Sequence, residues 1–64
     1  MRIGVDVGGT NTDAVLMDGS QLLASCKEPT TPDVSSGIVN AVTKILAAAS
    51  ISPASIKCVM IGTT

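Results

Sequence analysis

The sequence predicts an α/β fold: a three-stranded antiparallel meander, one crossover helix, and a fourth strand parallel to the first, in the sheet order 3-2-1-4. Three observations predict it. Two short apolar runs meet at Gly8-Gly9, and a third is separated from them by Asp18-Gly19. Apolar residues then recur at helical spacing between residues 34 and 49. A last apolar run, residues 56–61, follows that stripe, and a helix between two strands of one sheet makes them parallel.

Strand side chains alternate between faces, so residues 2–7 place Ile3, Val5 and Val7 on one side and Gly4 and Asp6 on the other. Asp6, reached by an apolar run, reads as a buried acid. A glycine inside a strand, as at Gly4, often marks close approach by another group. Residues 12–18 form the second strand, and Asp18-Gly19 is a strong short-range hairpin signal. Residues 21–27 form the third, with Leu22, Ala24 and Cys26 alternating against Leu23, Ser25 and Lys27.

Glu28-Pro29-Thr30-Thr31-Pro32 ends the sheet, since proline fixes φ and removes a donor. Thr31 suits a helix N-cap, Pro32 the first helical position, and Asp33 the positive end of the helix dipole. Val34, Ile38, Val42, Ile45 and Ala49 form one stripe, widened by Ala41, Leu46 and Ala48. Ser35, Ser36, Asn40, Thr43 and Lys44 form the polar side. Gly37 costs the helix about 1 kcal/mol relative to alanine, which close packing on the sheet would offset. Ser50-Ile51-Ser52-Pro53 stops the helix. The run after Lys57 is continuously apolar, as for a strand covered on both faces. A right-handed crossover sets its C-terminal end beside Gly8-Gly9, so Asp6–Thr12 and Gly62–Thr64 share one sheet edge.

Composition narrows the function. At 64 residues the chain is at most one small domain, and such a chain buries only about 60% of its unfolded surface. Its mean hydropathy is +0.52. It is read as part of a larger lobe, the alternative being a small Ala/Val/Ile-packed domain. The net charge is −1 with four dispersed basic residues, and aromatics are absent. That leaves no electrostatic footprint and no stacking platform for nucleic acid. No apolar run approaches the roughly 20 residues of a membrane span, and the N-terminus carries no signal-peptide pattern. Cys26 and Cys58 match no metal spacing, no histidine is present, and both read as core thiols. The expected compartment is the cytoplasm.

The chemistry concentrates in Asp6-Val7-Gly8-Gly9-Thr10-Asn11-Thr12-Asp13. Glycines 8 and 9 can take positive φ and carry no Cβ, and successive N–H groups in such a turn make an anion-binding concavity. Thr10 and Thr12 add hydroxyls. Asp6 repels a phosphate unless Mg²⁺ lies between them, usually with waters in its shell. No Gly-Lys-Ser/Thr follows, which excludes a Walker loop, and a strand rather than a helix follows the glycines, which excludes the dinucleotide fingerprint. Spacing alone equally allows a tight hairpin with glycines for geometry. Asn11 suits the left-handed geometry of a turn tip. Asp13 is either a second acid of the site or a solvated strand residue, and Thr63 and Thr64 either line the cleft or end the strand.

Gly4 to Val15 resembles the first phosphate motif of the actin/sugar kinase/Hsp70 superfamily. The whole chain is similar to the N-terminal region of the hydantoinase/oxoprolinase family. The resemblance rests on the Asp-x-Gly-Gly-Thr-x-Thr-Asp start, Lys27-Glu28-Pro29-Thr30-Thr31-Pro32-Asp33, the helix, and Ile61-Gly62-Thr63-Thr64. It implies a ribonuclease H-like start to an ATP-binding lobe, here an N-terminal fragment (residues 1–64) of a longer chain. It further implies ATP-dependent opening of cyclic amides such as hydantoins or 5-oxoproline, with related members activating ketones. Asp6 would hold Mg²⁺ and act in catalysis, while Gly8, Gly9, Thr10, Asn11, Thr12 and Thr63 would meet ATP. The expected partners are the cyclic amide, the rest of the chain and a second subunit. The fragment alone would be inactive and self-associating. Asn11 departs from the aromatic, often Phe, expected there in many relatives, which bears on substrate preference. More weakly, the motif resembles activator ATPases of radical-type dehydratases. The competing function is therefore a nucleotide-binding activator or chaperone-like module without its own small-molecule substrate.

Overall fold

The computed structural model describes residues 1–63. Strands β1 (Arg2–Val7), β2 (Asn11–Asp18) and β3 (Gln21–Pro29) precede helix α1 (Val34–Ala49), a 3-10 turn at Pro53–Ser55, and strand β4 (Cys58–Thr63). The sheet order is β3-β2-β1-β4, with β1 antiparallel to β2 and parallel to β4. Fold class, strand order and connectivity agree with the sequence expectation.

Alternation decides what is buried. Ile3, Val5 and Val7 of β1 and Ala14 and Leu16 of β2 share the face under α1, and Ala41 and Ile45 close on them from above. The opposite face carries Gly4, Asp6, Asp13 and Val15 and has no covering layer among the described residues. Gly19, at φ +62°, occupies the first position of the two-residue loop joining Asp18 to Gln21. Positive φ at that position alone is the type II′ pattern, whose twist matches the flanking strands. A register shift opposite Leu16/Met17 leaves Leu23 as the extra residue of a bulge, so Ala24 and Cys26 turn inward while Leu22 and Leu23 stay exposed.

The helix begins two residues later than expected. Asp33, not Thr31, is the N-cap: its carboxylate accepts from Ser35 N–H at 3.3 Å and Ser36 Oγ–H at 2.7 Å. Thr31 instead donates its hydroxyl to the Asp33 carbonyl. An Asp carboxylate accepts from first-turn amides and favours the dipole's positive end, so it outcompetes the threonine. Gly37 has a specific cause. A Cβ there would lie 3.1 Å from Thr31 Oγ1 and 3.5 Å from Thr31 N, so α1 packs its glycine against the exit from β3 rather than on the sheet itself. The helix ends at Ser50, in the left-handed region at φ 56°, with Ser50 N–H and Ile51 N–H returning to the last-turn carbonyls. Val34 and Ala48, expected on the apolar stripe, are exposed.

β4 differs most from expectation. It starts at Cys58 rather than residue 56, and all six of its residues are exposed, including Cys58, Val59, Met60 and Ile61. Helix α1 sits over β3, β2 and β1, and among the described residues no layer buries this edge strand. Gly4 meets only ordinary van der Waals contact with Val15. The core predicts a sharp contrast: Ile45→Ala should cost about 2–5 kcal/mol, and Val39→Ala, at a 61% exposed position, less than about 0.5 kcal/mol. Equal urea midpoints for the two variants would contradict this packing.

Candidate functional site

The β1–β2 turn is closed by Gly8 N–H donating to the Asn11 carbonyl at 2.9 Å. Thr30 supports it from behind. Its hydroxyl donates to the Gly8 carbonyl at 2.8 Å and lies 3.1 Å from Thr12 Oγ1, while its N–H donates to the Thr10 carbonyl at 2.9 Å. The turn is therefore tied to the end of β3 by both backbone and side chain.

These bonds redistribute the expected roles. Gly8 N–H is engaged with Asn11. Gly9 and Thr10 are exposed, and among the described residues their N–H groups have no hydrogen-bond partner. Positive φ occurs at Gly19 and Ser50, and not at Gly8 or Gly9. A Cβ built on Gly9 meets no atom within 4 Å. Among the described residues, neither backbone conformation nor packing asks for glycine at position 9. Asn11 opens β2 in extended conformation instead of sitting left-handed at a turn tip. Thr12 pairs with Val7 and is 1% exposed, so its hydroxyl is engaged with Thr30 inside the core. Thr63 also pairs with Val7, at the sheet end that carries the turn. Thr64 lies outside the described residues.

Asp6 is exposed, not buried. It is the centre of a row crossing the open face. Asp13 of β2 lies directly opposite it, Lys27 of β3 opposite Asp13, and Gly62 of β4 on the other side. Lys27 Nζ stands 3.9 Å from Asp13 Oδ1. Gly4, Asp6, Asp13, Val15, Met60 and Gly62 line a shallow trough of ≈ 430 Å³, whose floor stays low because two of them are glycines. A Cβ on Gly62 would meet nothing within 4 Å.

Cross-strand like charges oppose folding, and one exposed lysine offsets only part of that. Asp6 and Asp13 stand directly opposite each other across β1 and β2, and both line the trough. Among the described residues no three acidic, cysteine or histidine side chains cluster to cage a metal. Two carboxylates suit Mg²⁺, which keeps waters and completes its octahedron with substrate oxygens. Cys26 donates its thiol to the Ala41 carbonyl at 3.4 Å, and burial, then the nearby Glu28 charge, pushes its pKa up. It is an inert core group, whereas Cys58 is exposed. Lys44 anchors α1 to β3 through Glu28 at 2.7 Å, and that hydrogen bond raises the lysine pKa.

Sequence reasoning missed Thr30 and Lys27. Ending the third strand at residue 27 leaves Thr30 in the exit loop, and Lys27, though inside that strand, is set beside Asp13 by the β2–β3 register. The strand runs on to Pro29, which puts Thr30 behind the turn. The alternation from Ala24 through Glu28 is the signal that could have found them.

The profile of the hydantoinase/oxoprolinase N-terminal region matches residues 2–64, and the chain belongs to that family. No curated protein matches it. Among solved structures it is similar to component A of the (R)-2-hydroxyglutaryl-CoA dehydratase of Acidaminococcus fermentans, at 20% identity and a TM-score of 0.81. That match covers 98% of this chain and 24% of the other protein, and it establishes the fold. The chain thus spans about a quarter of that protein's length. No helix among the described residues is long and apolar enough to cross a membrane.

If the Asp6–Asp13 pair is held against its own repulsion, Asp6→Asn should stabilise the ligand-free protein by about 0.2–1 kcal/mol. Thermal unfolding at low salt checks this, and a clear loss of stability would mean that Asp6 has a structural partner.

Proposed function

We infer that this chain is the phosphate-binding part of an ATP-dependent hydrolase acting on cyclic amides of the hydantoin or 5-oxoproline type. Family membership supports the hydrolase class. The observation that carries the nucleotide role is Gly9: among the described residues nothing approaches the place of its missing side chain, and neither its N–H nor that of Thr10 has a hydrogen-bond partner. A bare backbone with two open donors suits a phosphate oxygen approaching from outside. Thr10 Oγ and the Asn11 amide can add side-chain donors. Thr63 lies at the same sheet end. Thr12 supports the turn through Thr30 rather than meeting the ligand.

Mg²⁺ bound by Asp6, with Asp13 beside it, would neutralise phosphate charge. The site residues do the rest. The turn fixes the phosphate by backbone donors that need no reorganisation, and Asp6 orients the shell around the cation. The groups that hold and attack the ring carbonyl belong to other parts of the protein, so the chain alone is inactive. In this reading the uncovered β4 and the open sheet face meet the rest of the same chain, and a second subunit completes the enzyme in the cytoplasm. The isolated chain should then self-associate through these surfaces, and a monodisperse monomer in light scattering at high concentration would contradict that expectation.

The deciding experiment uses the full-length protein. ATP hydrolysis should rise on adding hydantoin or 5-oxoproline and vanish in Asp6→Asn. Gly9→Ala should fold with an unchanged unfolding midpoint, because its methyl meets nothing, yet lose Mg-ATP binding on the order of tenfold or more. Undiminished binding would return the turn to a purely structural hairpin. Turnover that no cyclic amide stimulates would favour a nucleotide-driven activator or chaperone-like module instead.

A further inference from the structure

The Thr30-Thr31-Pro32 segment is a prominent motif to which neither the helix cap nor the phosphate site assigns a role. Its first residue makes three contacts with the β1–β2 connection. Thr30 Oγ1 donates to the Gly8 carbonyl at 2.8 Å, and its N–H donates to the Thr10 carbonyl at 2.9 Å. Its hydroxyl oxygen also lies 3.1 Å from that of Thr12, a residue 1% exposed. The two carbonyls so engaged flank Gly9. Each lies in or beside a peptide unit that carries an open donor: the Gly8 carbonyl shares its peptide plane with Gly9 N–H, and the Thr10 carbonyl lies one peptide unit beyond Thr10 N–H. A planar peptide sets N–H and C=O in opposite directions. Fixing the Gly8 carbonyl inward therefore turns Gly9 N–H away from Thr30.

We propose that Thr30 is the positioning residue of the phosphate turn. It holds the Gly8–Gly9 peptide plane so that Gly9 N–H is presented for the nucleotide before the nucleotide arrives. This deepens the nucleotide-binding role given above and rests on it. Glycines 8 and 9 take no conformation that locks the turn by itself, so rigidity has to come from a neighbour, and Thr30 supplies it. Through Thr31, which abuts Gly37 and donates to the Asp33 carbonyl, the same segment also seats the first turns of α1. Turn and helix thus share one support.

The test is Mg-ATP binding by calorimetry in the full-length protein, for wild type, Thr30→Val, Thr30→Ser and the remote core variant Ile45→Ala. Thr30→Val keeps the shape and the backbone N–H but removes the hydroxyl. It should weaken Mg-ATP on the order of tenfold, and Thr30→Ser should restore affinity to within about threefold of wild type. Ile45→Ala lowers stability without touching the turn, and its folded fraction should bind as wild type. If wild type binds no nucleotide, the nucleotide-binding role itself fails. If wild type binds and Thr30→Val binds equally, that role stands and the assignment of Thr30 is overturned. Equal weakening in Thr30→Val and Ile45→Ala would also overturn it, since affinity would then follow stability. Should Thr30→Val not fold, a Thr30→Ser affinity no better than that of Thr30→Ala overturns the proposal.

Discussion

Between the exit of β3 and the β1–β2 turn run the hydrogen bonds on which the candidate site depends, from Thr30 to the carbonyls of Gly8 and Thr10. A glycine pair has wide conformational freedom and loses much of it on folding. Left to itself it would sample many arrangements of its N–H groups. Here the arrangement is imposed from behind by a strand two positions away in the sheet. That requires β2 to bring β3 alongside, the Gly19 hairpin to set the register, and α1 to pack Gly37 against the same segment. In the proposed role the glycines would make room for a ligand, and the threonine would make that room definite.

The two faces of the sheet divide the labour. Under α1 lies a dry core of Ile3, Val5, Val7, Ala14, Leu16, Ala41 and Ile45. It supplies cohesion and sequesters the Thr12 hydroxyl with its partner. The other face bears the row Lys27, Asp13, Asp6, Gly62. Opposed carboxylates contribute nothing to a hairpin's stability, and their placement beside the turn accords with a role toward a cation. Period-two alternation makes the division possible: Val7 and Thr12 point into the core, and Asp6 and Asp13, one step along, point out.

Much of this is legible in the sequence. Apolar alternation in residues 2–7, the Asp18-Gly19 pair and the helical stripe specify the sheet order, because each signal is local and each fixes a neighbour. Alternation places Asp6 opposite Ile3, Val5 and Val7 without saying whether that face is covered, and the burial of Thr12 escapes sequence reading for a different reason. The face of a residue after a turn depends on how many residues the turn consumes, and only the Val7–Thr12 register settles that. β4 reads as doubly covered because its apolar run reports burial without saying by what. Nothing among the described residues covers it, and the match to a quarter of a longer fold neighbour is in keeping with that. The helix starts at Asp33 rather than Thr31 because two nearby cap-forming residues compete, and the carboxylate captures the first-turn donors. The Thr30 contacts are long-range, and their local hint is the alternation that carries β3 past residue 27.

In the proposed role the N–H groups of Gly9 and Thr10 meet a nucleotide phosphate while Gly8 N–H stays with Asn11. The most direct measurement is the amide resonances of these three residues in the full-length protein as Mg-ATP is added. The account predicts large downfield proton shifts at Gly9 and Thr10, saturating together, with Gly8 nearly still. Unmoved resonances at Gly9 and Thr10 under saturating Mg-ATP would contradict it.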